Sequence, residues 1–242
     1  MSETANPLLG TRSGAPSRKQ PNLRPAIRWA MRDTVHEAIL EMLLVEHLEP
    51  GAPLRIDAIA KSLDVSPTPV REALVEIEAT GLITRTALKG YRVAEPLSHE
   101  EFSKLMNVRI LLEPVAAHSA CDAYGGALTD ELIAVLDRQR GAAVIGIHTD
   151  DGLRGYLRAD IEFHDVILNN CQNSFLKRAV QSMGGHFHRF RDLYQGRSDS
   201  DFALAEHQHI VDAFAAGDSD AAEGAMLNHH NAVAGRVKEL GE

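Results

Sequence analysis

Four side chains in the second half of the chain could share a metal ion: Asp160, His164, His207 and His229. Asp160 and His164 are four residues apart, so a helix there puts them one turn apart on one face. His164 continues an apolar stripe of Leu153, Leu157, Ile161 and Leu168. His207 shares a stripe with Ala203, Ile210 and Phe214, and His229 shares one with Ala222, Met226, Val233 and Val237. Their neighbours His209 and His230 fall off those stripes. All four are therefore expected to face an apolar interior, where a carboxylate or an imidazole needs a partner. Taken singly, each reads as a satisfied core residue. Taken together, one carboxylate and three imidazoles form a donor set for a borderline divalent ion. His186 and His188, on the helix before, are further residues that could approach this pocket.

The elements that position these groups follow from periodicity. Helical segments are expected at about 98–124, 128–145, 151–170, 174–195, 201–216 and 218–240, broken at Gly125-Gly126, His148 to Gly152, Cys171 to Asn173, Gly196 to Asp199 and Gly217-Asp218. Ser98 with Glu101 three residues on reads as a capping box. Phe102, Leu105, Val108, Leu112 and Val115 read as the buried stripe of the first of these helices. No strand pattern occurs here, so residues 97–242 are expected to form an all-α bundle of about six helices.

The first part of the chain has a different rhythm. A helix is expected from about Trp29 to His47, stopped by Glu49-Pro50-Gly51, and a short second one from Asp57, its N-cap, to Leu63. Ser66 and Pro67 suit the N-cap and first position of a third helix, and Gly81 suits its C′ position. Leu82–Arg85 and Tyr91–Val93 read as two strands around Lys89-Gly90. Three helices and a hairpin make a winged helix-turn-helix over 28–96. The expected fold class is mainly α: this small domain, with its β-hairpin wing, followed by the bundle.

Charge separates the same regions. Residues 1–96 carry 12 basic and 12 acidic side chains, while 97–242 carry 13 and 22 and so hold the whole net charge of −9. Residues 1–27 form a basic arm rich in Pro, Ser and Gly, either a solvated tail or a segment that touches a polyanion. No apolar run is long enough to span a bilayer. MSETANPLLGTRSG has no signal core, and Cys121 and Cys171 lie outside any CxxC, so a reducing cytoplasm is expected and neither a disulfide framework nor a thiolate zinc site is.

In a helix-turn-helix the second helix of the motif enters the major groove by its N-terminal residues. Here these are Ser66, Thr68 and Arg71, with Arg55 and Lys61 placed to grip the backbone and Lys89 and Tyr91 on the wing. Pro50-Gly51, Leu54, Ala60, Val65-Ser66, Thr68-Pro69-Val70-Arg71-Glu72-Ala73-Leu74 and Gly81-Leu82 resemble the N-terminal domain of GntR-type bacterial transcription regulators. Pro67 departs from the arginine that often follows the serine there, and so removes one contact to DNA. Asp160 and His164, Glu206-His207, and Gly217-Asp218 leading to Met226 and His229 resemble the FCD ligand-binding domain of the FadR subfamily.

The resemblance implies operator DNA and a homodimer as partners, with no membrane. It implies one divalent transition metal per chain, zinc or nickel first and manganese or iron next, with positions left for the carboxylate of a small organic acid. It also suggests that Arg109 meets that carboxylate, the alternative being an internal salt bridge with Glu113. Asn173, which could equally cap the following helix, and Arg189 are weaker effector candidates. The function expected is a DNA-binding transcription regulator, a repressor, controlled by such an acid. A metal-dependent enzyme on the helical bundle, or a regulator whose metal is purely structural, are the alternatives. Against the enzyme, the chain has no HExxH, no GxxxxGK and no dedicated general base.

Overall fold

Pro67 and Gly81 bracket the helix on which the first domain is built. The computed structural model describes residues 34–40, 42–43, 48–147, 149–190 and 200–240, and the basic arm lies outside them. Helix α1 covers 34–40, followed by β1 (Pro53–Leu54), α2 (Ile56–Ser62), α3 (Pro67–Thr80), β2 (Ile83–Thr86) and β3 (Gly90–Val93). Ser66 stands at the N-cap of α3 and Gly81 closes it at φ 81°, a left-handed position that glycine adopts without strain. Val70, Ala73, Leu74 and Ile77 of α3 are buried with Val35 and Ile39 of α1 and with Leu82, Ile83 and Val93.

Two local expectations need correcting. The wing is a three-stranded antiparallel sheet in the order β1-β3-β2, with Leu54 opposite Tyr91 and Ile83 opposite Val93. A two-residue strand shows no alternation, so β1 leaves no trace in the pattern. Helix α2 is capped by Arg55, without a side-chain hydrogen bond, rather than by Asp57. Asp57 instead sits in the first turn, where its charge still meets the helix dipole.

Helices α4 (His99–Tyr124), α5 (Thr129–Gly146), α6 (Asp150–Asn170), α7 (Ser174–Phe190), α8 (Ser200–Ala216) and α9 (Ser219–Leu240) form the second domain. Ser98 and Glu101 make the reciprocal capping box. The buried row of α4 is Phe102, Met106, Arg109, Glu113, Ala117 and Ala120; of the stripe read from the sequence, Phe102 is buried and Leu105 and Leu112 pack partly buried against the core, but Val108 and Val115 do not. Arg109 and Glu113 turn inward because they neutralise each other. Val108, Leu111 and Val115 consequently face out, Leu111 at 70% exposure. Phe163, Ile210 and Phe214 anchor the core between α6 and α8. The expected extension of α7 to 195 falls partly outside the described residues.

The two domains touch where α7 crosses the end of α3. His186 Nε2 donates to the Thr80 carbonyl at 2.6 Å. A Cβ on Gly81 would stand 2.9 Å from His186 Nε2, and one on Gly185 would stand 2.4 Å from Leu82 Cδ1. Both glycines thus permit the close approach. Gly81→Ala should lose stability by about 1–2 kcal/mol, from the positive φ alone. Chemical denaturation of the purified variant measures this.

Candidate metal centre and nucleic-acid interface

Asp160 and His164 of α6, His207 of α8 and His229 of α9 are all buried in the second domain. One ring nitrogen from each of the three histidines lies within 4.8 Å of the other two. The other ring nitrogen is held from behind. His164 Nδ1 bonds Glu113 Oε2 at 2.8 Å, His207 Nδ1 bonds Gln139 Oε1 at 2.9 Å and His229 Nδ1 bonds Glu206 Oε2 at 2.8 Å. Carboxylate and amide oxygens can only accept, so each Nδ1 carries the proton and each Nε2 presents its lone pair. That is the tautomer a metal requires, fixed by the outer partners that orient metal-bound imidazoles. His164 Nε2 is buried with no hydrogen-bond partner, which fits a cation as its missing neighbour.

Asp160 lies beside this cluster, its Oδ1 3.9 Å from His207 Nε2 and accepting from Gln139 Nε2 at 3.1 Å. Gln139 therefore ties Asp160 to His207 with one amide. Glu206 is fixed in turn by Arg236, through bonds of 2.6 and 3.1 Å. Glu113, Gln139 and Glu206 went unread as supports in the sequence. Gln139 had a visible signal, since it continues the buried row of Leu132, Val135 and Leu136 on α5. His230, expected to turn aside, is buried with Nε2 3.1 Å from Glu113 Oε2.

Burial favours the uncharged imidazole. It lowers the His229 pKa despite the Glu206 hydrogen bond, and pushes His230 down to about 3 despite Glu113. Burial alone would raise Glu113, but Arg109, His230 and His164 hold it well below the usual carboxylate range. Arg109 is itself buried, its Nε donating to Glu113 Oε1 at 2.5 Å, so the internal salt bridge is the arrangement present. Arg109 and His164 also reach the wall of a cavity of about 330 Å³.

The other effector candidates fare differently. Asn173 is exposed and its Oδ1 accepts from the backbone N–H groups of Phe175 and Leu176. It caps α7, the alternative expected for it, and its Oδ1 is occupied by helix-end donors. The side chain of Arg189 lies outside the described residues, as does that of His188. His186 is engaged by Thr80, at the domain contact.

On the first domain, Ser66, Thr68 and Arg71 are exposed together at the start of α3. Arg55, Lys61 and Lys89 are exposed as well. Tyr91 is not: it is 5% exposed, because β3 alternates and Tyr91 and Val93 take the inward face. The Arg85 guanidinium lies 5.5 Å from its ring. Arg85 and Leu88 lie outside the set of residues expected to meet DNA. Both are exposed on the wing, and Leu88 holds φ 64° at its tip, fully in solvent.

Comparison with known proteins assigns this pair of domains. Residues 31–93 match the bacterial regulatory proteins of the gntR family, and residues 104–232 match the FCD domain. The chain belongs to the GntR family of transcription regulators, in its FCD-bearing branch. It is 29% identical to a probable D-xylose utilization operon transcriptional repressor of Paenarthrobacter nicotinovorans, over 82% of this chain and 86% of that one. It is 30% identical to the HTH-type transcriptional regulator LutR of Bacillus subtilis (strain 168), over 75% and 90% respectively. The fold is that of the solved E. coli McbR/YncC, with a TM-score of 0.71 at 17% identity over 86% of this chain and 97% of that one. A GntR regulator from Rhodococcus sp. RHA1 follows at 0.66 and 21%, over 88% and 98%. The protein is a DNA-binding transcription regulator. No described helix is long and apolar enough to cross a membrane.

The buried groups set a pH dependence for this GntR protein without metal. A histidine whose folded pKa is depressed binds fewer protons folded than unfolded, so its stability contribution is present above the unfolded value and is lost as pH falls below it. Depressed Glu113 acts in the same direction at lower pH. The melting temperature of the metal-free protein should therefore fall steadily once pH drops below about 6.5. A flat melting curve from pH 7 to 5 would contradict the buried neutral imidazoles.

Proposed function

We propose that this regulator is a repressor whose hold on operator DNA answers to a small carboxylate bound at a metal ion. The observation that carries the reading is the set of three buried histidines with their Nδ1 protons occupied and their Nε2 atoms convergent. Asp160, His164, His207 and His229 would hold one divalent transition ion per chain, zinc or nickel before manganese or iron. The ion would supply Lewis acidity and positive charge for an anionic ligand. Arg109, already beside the cavity, would meet the ligand's carboxylate by sharing or exchanging Glu113.

On the DNA side, α3 enters the major groove with Ser66, Thr68 and Arg71. Arg55 and Lys61 lie against phosphates and Lys89 against the wing's groove. The outward stripe of Val108, Leu111 and Val115 on α4 supports a homodimer, since such a row is unusual on a monomer surface. A two-fold dimer would place two recognition helices one DNA turn apart. The site of action is then the cytoplasm, where the operator is.

Elemental analysis of the protein purified without a histidine tag should find about one transition metal per chain. His207→Ala should lose it while circular dichroism still reports a helical protein; equal metal content in both would reject the ligand set. Arg71→Ala should weaken operator binding by about 1–3 kcal/mol at matched salt, as expected for a bidentate base contact, measured by fluorescence anisotropy. Carboxylate binding that survives removal of the metal would make the ion structural.

A further inference from the structure

We infer that the effector cavity is shared between the two domains and takes a monocarboxylate with an elongated aliphatic body. This rests on the reading of the metal centre as the ligand's anchor. The carrying observation is the composition of the wall. His164 belongs both to the three-histidine cluster and to the cavity of about 330 Å³, and Arg109 lines it too. From there the same cavity reaches Leu40 of α1 and Leu82, just beyond α3, in the DNA-binding domain. Ile161, Leu168 and Val180 of the second domain complete an aliphatic lining.

Charge on the wall limits the ligand to one carboxylate. Arg109 and a metal held by His164 attract the first. The remaining acidic lining groups, Glu37 and Asp165, would repel a second. Among the described residues His36 is the one other basic lining group, and it sits beside Glu37. Apolar walls with a few convergent polar groups are what ligand pockets of this size offer. A body lying between Leu40, Leu82 and Val180 touches both domains at once. It thereby binds one domain arrangement better than another, and this differential is what lets a ligand shift an equilibrium.

Gly184 gives the means to test this. It lines the cavity, and a Cβ placed on it meets nothing within 4 Å. Gly184→Leu therefore fills the aliphatic part of the cavity without disturbing the metal ligands. Calorimetric titration of the zinc-loaded full chain with acetate, octanoate and octanedioate should show octanoate at least tenfold tighter than acetate. Each buried methylene is worth up to about fourfold. Octanedioate should bind no tighter than acetate. Gly184→Leu should erase the octanoate advantage and leave acetate affinity and zinc content unchanged. Leu40→Ala, as a second variant, should weaken octanoate severalfold and acetate not at all.

Octanoate no tighter than acetate in the wild-type protein overturns the inference. So does an octanoate advantage that survives Gly184→Leu, or octanedioate as tight as octanoate. If chelation of zinc leaves the tenfold preference intact, the cavity assignment stands and the metal-anchored reading is the one that fails.

Discussion

The hydrogen bond from an imidazole Nδ1 to a fixed acceptor governs this molecule more than any other contact. A helical bundle tolerates buried histidines only when both ring nitrogens are provided for. In His164, His207 and His229 one nitrogen is provided for by Glu113, Gln139 or Glu206. The geometry of those acceptors then decides where the second nitrogen points. Because the acceptors come from α4, α5 and α8 and the imidazoles from α6, α8 and α9, five helices and the connections between them must be in register before the cluster exists. The three-histidine cluster is thus a product of the bundle's packing.

The same economy explains Arg109. A guanidinium and a carboxylate one turn apart on α4 neutralise each other in the interior. Glu113 also serves His164 and lies within reach of His230. One carboxylate therefore connects the charge that faces the cavity with the histidine cluster. Removing either partner would leave the other charge buried alone, which is far more costly than the pair is stabilising. This pairing also turned apolar residues of α4 outward, so the interior's electrostatics shape the exterior's apolar surface.

Much of this was legible in the residues. Pro67, Gly81, Ser98 and Glu101 mark helix ends by local rules that tertiary context rarely overrides, and each end lies where they place it. The histidines were legible because they interrupt apolar stripes at helical spacing. The stripe on α4 was legible only in part: Phe102 is buried as expected, but the buried row then runs through Arg109 and Glu113, and only their mutual pairing lets two charges lie inside. Tyr91 was misread for a simpler reason: its place on the wing suggested DNA, but which face of β3 it takes depends on the register with β1 and β2. The contact between α7 and α3 could not be read at all, because nothing local to Gly185 says that Leu82 will lie against it.

Every α-helix ends with carbonyls that have no partner within the helix. In α3 one of them, on Thr80, is satisfied by His186 from the other domain. Water can replace that donor, and the net difference between the two is only about 1 kcal/mol. The recognition helix is thus tethered by a bond that solvent can substitute, next to two glycines that offer no side chain to interlock. The hydrogen bond itself therefore discriminates little between a docked and a solvated helix end, and the holding power of this contact falls to the apolar packing of Leu82 against Gly185.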